Sequence, residues 1–167
     1  RNTLTFYGNQ GSRGATRPWR LYHPFVDTKV NAAQFEAVAL RHLRGLHPRP
    51  EILERVKACC KDWPAQVVGI HVRRLDLPGD HAARDRTLQQ LLQAQDPAAA
   101  FVACCDNPHS VQWLRQQLGD RLLPHPVQFH ASRNRKQRQT SVAEAVADLY
   151  ILSKTQRIIG TSGSSFS

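Results

Sequence analysis

Methionine is absent from the 167 residues, so Arg1 is not a natural start and the chain reads as a piece of a longer protein. No apolar run approaches the ~18 residues of a membrane span, and no secretory leader is evident. Cys-x-x-Cys is missing as well: the four cysteines form two adjacent pairs, Cys59-Cys60 and Cys104-Cys105. That spacing excludes the usual zinc and thioredoxin motifs. Adjacent cysteines bridge each other only in a strained ring, so they are read as small buried hydrophobes carrying free thiols, which suits a reducing, cytoplasmic compartment. Asp-x-Asp does not occur, and no helix-turn-helix, zinc-finger or RNP pattern is visible. Aromatic residues are only 7% of the chain, and residues 130–140 hold none, where single-stranded nucleic acid would need stacking platforms.

Acidic residues are the other shortage. The chain has 23 Lys and Arg against 13 Asp and Glu, a net charge of +10. None of the acids lies between Asp120 and Glu144, an interval that holds Arg121, Arg133, Arg135, Lys136 and Arg138. Such an excess points to an anionic partner: nucleic acid, an acidic surface or a phosphorylated small molecule. Hydrophobic residues make up 41%, which excludes a disordered tail and leaves room for about one folded domain.

Residues 1–24 form a lead rich in Gly, Arg and Pro, with a short strand at Leu4–Tyr7. The spacing of Gly8, Gly11 and Gly14 is not a dinucleotide fingerprint. Asn31 caps a helix expected to run to about Arg44. Glu51–Lys61 reads as a second helix with Ile52, Leu53, Val56 and Cys60 inward. These elements make residues 1–65 a loop and helical segment.

From residue 66 the pattern becomes alternating. Gln66–Val72, Ala100–Cys104, Val127–His130 and Arg157–Gly160 read as strands. Arg84–Ala94, Pro108–Leu118 and Ser141–Lys154 read as the helices between them. Ser141 and Glu144 form a capping box, and Asn107-Pro108 is an N-cap with proline at the first helical position. Alternation at this spacing predicts an α/β fold, with a Rossmann-like parallel sheet over residues 66–167.

Parallel α/β sheets bind ligands outside the carboxyl ends of their strands. The residues that follow each strand are therefore the candidates. His71, Arg73, Arg74 and Asp76 follow the first, and Asp106 and Asn107 the second. His130, Ser132, Arg133 and Arg135 follow the third. Gly160-Thr161-Ser162-Gly163-Ser164-Ser165 follows the fourth. This edge is rich in arginine and hydroxyls and has no metal-binding carboxylate cluster. Guanidinium forks suit phosphate oxygens, and a Gly/Ser run opening a helix presents N–H groups to an anion. A structural Arg–Asp pair, such as Arg74 with Asp76, is the plainer reading of part of it. Asp148, on the edge of an apolar helix face, reads as a solvated carboxylate.

Gly69-Ile70-His71-Val72-Arg73-Arg74-Leu75-Asp76 resembles the H-x-R-R-x-D peptide of α-1,6-fucosyltransferases and NodZ-type enzymes, with the protein O-fucosyltransferases more distant. Asp148-Leu149-Tyr150-Ile151-Leu152-Ser153 is similar to their second segment. Gly160–Ser167 is similar to their Ser-rich third. Leu75, Asn107 and Gly163 depart from the residues usual at their positions. The resemblance covers about residues 66–167. It implies the nucleotide-sugar lobe of a GT-B glycosyltransferase, stopping where its phosphate-binding helix should begin. It further implies GDP-fucose or another nucleotide sugar as donor, a glycan hydroxyl as acceptor, and no metal or other cofactor. Carried over, Arg73 grips the donor diphosphate and His71 lies near the donor sugar or phosphate, the two catalytic positions. Asp148 helps fix the guanine nucleotide, and Ser164, Ser165 and Phe166 hold the diphosphate or nucleotide. Arg74 and Asp76 brace the loop. A nucleotide-sugar-binding lobe without transfer activity is the second reading. A nucleic-acid-binding domain using the 121–138 stretch stands well behind both. The resemblance puts the protein in the bacterial cytoplasm, or in the Golgi lumen if it is eukaryotic.

Overall fold

The computed structural model describes residues 3–7, 41, 45, 47–75, 80–131 and 139–161. The chain divides into two compact units, residues 1–9 with 50–167, and residues 10–49. All elements named below belong to the first. The expected helix from Asn31 to Arg44 lies, apart from Arg41, outside the described residues.

The order is β1 (Thr3–Tyr7), α1 (Pro50–Cys60), β2 (Val67–Val72), α2 (His81–Gln93), β3 (Ala100–Cys105), α3 (Pro108–Leu118), a 3₁₀ turn (Gly119–Arg121), α4 (Val142–Leu152) and β4 (Arg157–Thr161). The four strands form one sheet in the order β1-β4-β2-β3. Every pairing is parallel, with His71 opposite Gly160 on one side and Cys104 on the other. The α/β reading with a parallel sheet therefore holds.

β2 and β3 are buried at every position, as expected of strands covered on both faces. Their alternate residues serve opposite layers. Val68, Ile70 and Val72 of β2, with Phe101, Ala103 and Cys105 of β3, pack with Leu88 and Leu92 of α2 and Leu114 and Leu118 of α3. Val67, Val102 and Cys104 pack on the other side with Val56 of α1 and Ala147, Ile151 and Leu152 of α4. Gly69 sits at the closest approach of that second layer. A Cβ there would lie 2.8 Å from Leu152 Cδ2 and 2.9 Å from Thr155 Oγ1.

The two N-cap bonds form, but the return bond of the Ser141–Glu144 capping box does not, because the Glu144 carboxylate is taken by Arg55. Asn107 Oδ1 accepts from Ser110 N at 2.9 Å and Ser141 Oγ from Glu144 N at 3.1 Å. The Glu144 carboxylate is engaged by Arg55 of α1 at 2.7 Å, which ties the two helices of one layer together.

Two expectations are corrected. Val127–His130 is not a strand. The chain meets β3 only briefly, where Leu122 bridges Phe101 and Leu123 N donates to Phe101 O at 2.7 Å. Pro124 and Pro126 come next and have no N–H to continue a ladder. The fourth strand is instead β1, so the division expected at residue 65 falls elsewhere. β1 and α1 belong with the sheet, and the separate unit is residues 10–49.

Candidate functional site

All four strands run the same way, so their carboxyl ends share one edge. β2 and β4 are neighbours there, although the chain leaves β2 toward β3 on the far side and reaches β4 by crossing back. Such a reversal of strand order is where open α/β sheets leave a crevice. It sets His71 and Arg73 beside Gly160 and Thr161, residues 88 to 90 apart in sequence.

Their junction is a hydrogen-bonded relay. The Thr161 hydroxyl donates to His71 O at 2.9 Å and accepts from Arg73 N at 3.0 Å. Thr161 is fully buried and His71 is 6% exposed, while Arg73 is half-buried at the rim. The next two residues are held from β3. Asp106 Oδ2 accepts from Arg74 N at 2.8 Å and Leu75 N at 2.9 Å, and its Oδ1 accepts from Asn107 Nδ2 at 2.6 Å. One buried carboxylate thus fixes the turn that leaves β2. Charge-assisted bonds of this kind are about twice as strong as neutral ones. Asp106 stood among the strand-end candidates, but the residue pattern did not give it this bracing role. The available signal was an acid placed directly between a buried strand and an Asn-Pro cap.

Arg74 makes a structural pair within the described residues. Its guanidinium pairs with Asp85 of α2 and lies 5.6 Å from the Trp113 ring centroid. Asp76 lies outside the described residues, as do Ser164, Ser165 and Phe166 and the basic residues Arg133, Arg135, Lys136 and Arg138. Arg121 has a structural task. It donates to Ala99 O at 3.0 Å and Asp96 O at 2.8 Å, and it stacks 4.8 Å from the Phe101 centroid.

Comparison with family models, curated proteins and solved structures gives no match. The site is therefore judged on its own geometry and chemistry.

Asp148 is not the solvated carboxylate its helix position suggests. It is 2% exposed, and its Oδ1 lies 2.7 Å from His125 Nε2, whose side chain is 5% exposed. Cys104 closes the group from β3, with a ligating atom within 4.8 Å of those of His125 and Asp148. Burial pushes the Cys104 thiol well above its ordinary range, with the Asp148 charge adding to it. A metal could draw on these three atoms, yet Asp148 and His125 already satisfy each other. All four cysteines are free thiols. No helix among the described residues is long and apolar enough to cross a membrane.

Proposed function

We propose that this chain is the nucleotide-sugar lobe of a GT-B-type glycosyltransferase resembling the α-1,6-fucosyltransferases, using GDP-fucose or a close relative. The observation that carries this reading is the neighbouring of β2 and β4. It joins two of the three segments of the resemblance at the edge where such sheets take their ligands.

The chemistry rests on the residues at that edge. Transfer breaks the bond between the anomeric carbon and a diphosphate through an oxocarbenium-like state, and negative charge grows on the departing nucleotide. The Arg73 guanidinium, on a backbone fixed by Thr161 and Asp106, would meet that charge with little reorganisation. Ser164, Ser165 and Phe166, just past Thr161 in the chain, would add hydroxyl and N–H donors. This arrangement needs no divalent metal. His71 sits at the strand end beside Gly160, within the same crevice. Asp148 fits its assigned nucleotide contact least well, because a direct contact requires His125 to move aside. The four free thiols suit a reducing compartment, and so a cytoplasmic enzyme.

The test is thermal stabilisation by GDP, GDP-fucose, GDP-mannose and UDP-sugars, since a ligand that binds only the native state stabilises it by about 2.7 kcal/mol at a hundred times its Kd. A GDP-sugar should raise Tm, and Arg73→Ala should abolish the shift. That substitution keeps the backbone N–H bonded to Thr161, so the ligand-free protein should still unfold cooperatively. Indifference to every GDP ligand, or a full shift in Arg73→Ala, refutes the assignment. Binding without transfer to any acceptor would select the binding-only lobe.

A further inference from the structure

A second group of reactive side chains lies on the α1/α4 layer. Cys59, near the end of α1, places its Sγ 3.9 Å from His125 Nδ1. The other ring nitrogen, Nε2, is 2.7 Å from Asp148 Oδ1. With an ionised Asp148 accepting, the ring proton sits on Nε2 and the Nδ1 lone pair faces the thiol. Thiol, imidazole and carboxylate thus stand in the order that activates a nucleophile.

Cys59 and His125 border a cavity of about 400 Å³. Its walls are mostly apolar, including Leu123, Pro124 and Ile151, and Arg55 and Asp62 add one charge of each sign. Trp63 lines the same cavity, and its buried indole N–H has no acceptor among the described residues.

We propose that Cys59 is a nucleophile that accepts an acyl group from an activated ester or thioester bound in this cavity, with His125 as its base and Asp148 as a positioning residue. The thiol proton passes to His125 Nδ1 as sulfur adds to the carbonyl carbon. The bond from the carbonyl carbon to the leaving oxygen or sulfur then breaks, and the leaving group takes the proton from His125. The products are a Cys59 thioester and a free alcohol or thiol. Burial and the neighbouring Cys60 push the Cys59 thiol up to about 11, so it rests neutral and needs this base. Pro124 O, at 3.9 Å, is a competing acceptor for its proton.

Cys60 is the internal reference, since it shares the backbone and lies near Lys154 rather than an imidazole. The 167-residue chain is treated with p-nitrophenyl acetate, and each cysteine is followed by peptide mass spectrometry. Cys59 should acquire acetyl roughly a hundredfold faster than Cys60, the scale of general-base assistance, with one p-nitrophenolate released per chain. His125→Ala should bring Cys59 down to the Cys60 rate. Asp148→Asn should slow acetylation of Cys59 alone, and Asp148→Glu should restore part of it. Equal rates at Cys59 and Cys60 in the parent protein overturn the proposal, as does a His125→Ala protein in which Cys59 keeps its lead. The parent comparison involves no substitution, so it decides the matter even where a variant fails to fold.

Discussion

The edge where β2 meets β4 and the layer formed by α1 and α4 both gather polar groups against an apolar core, but they hold them differently. At the strand edge the holding is done by neighbours. Thr161 and Asp106 bind main-chain atoms of residues 71–75, so the Arg73 side chain can be exchanged without cutting these bonds that shape the turn. On the helical layer the reactive atoms hold one another. Cys59, His125 and Asp148 form a chain of side chains, and altering one changes what the next can do. The first arrangement separates scaffold from chemistry and the second merges them.

The sharpest way to break this contrast is Asp106→Ala. It removes the acceptor of three N–H groups in a buried position, and bonds to a charged acceptor are worth about 1.5–3 kcal/mol each. Loss of at least ~3 kcal/mol in urea unfolding is expected on that scale, together with loss of any stabilisation by a GDP-sugar. A cost below ~1 kcal/mol would mean that the turn after β2 is held by something else. Asp148→Ala, which removes one side-chain bond on the helical layer, should cost about 2 kcal/mol on the same scale. A larger loss than that of Asp106→Ala would reverse the ranking of the two regions.

The smallest effect separates the regions by pH. Desolvation raises the Cys59 thiol from its ordinary 9.0 to about 11 and also raises Cys104, both on the α1/α4 layer. A thiol whose folded pKa exceeds its unfolded one favours the native state fully only below the folded value's lower neighbour, the unfolded pKa, where neither state is ionised differently. Stability should therefore be level up to about pH 9 and decline as the pH rises toward 11, when the unfolded chain ionises first. Cys59→Ala should make the decline of Tm shallower. An unchanged slope would show that the alkaline sensitivity arises elsewhere.

Local signals in the sequence located most of the elements. Apolar runs marked β2, β3 and β4, and the Asn107-Pro108 and Ser141 caps marked the starts of α3 and α4 within a residue. Val127–His130 misled because alternation alone takes no account of Pro124 and Pro126, which remove donors just where β3 offers a partner. The meeting of the β2 and β4 ends was legible because the two segments each end a strand, and parallel strands bring their ends together. The group around His125 was not. Its members stand at positions 59, 125 and 148 and on three different segments, and a histidine between two prolines carries no periodic signal. Asp148 itself was noticed only through a resemblance, and its burial results from tertiary packing rather than from its place on the helix.

The order of strands in the sheet also bears on how the molecule can be made. β1 pairs only with β4 among the described strands, yet about 150 residues separate them in the chain, and such distant pairings form slowly. β2 and β3 can pair early with α2 between them, whereas β1 pairs in this sheet with β4 alone among the described strands. The arrival of β4 beside β2 also completes the Thr161 bridge, so the junction at Arg73 forms only once that distant pairing is made.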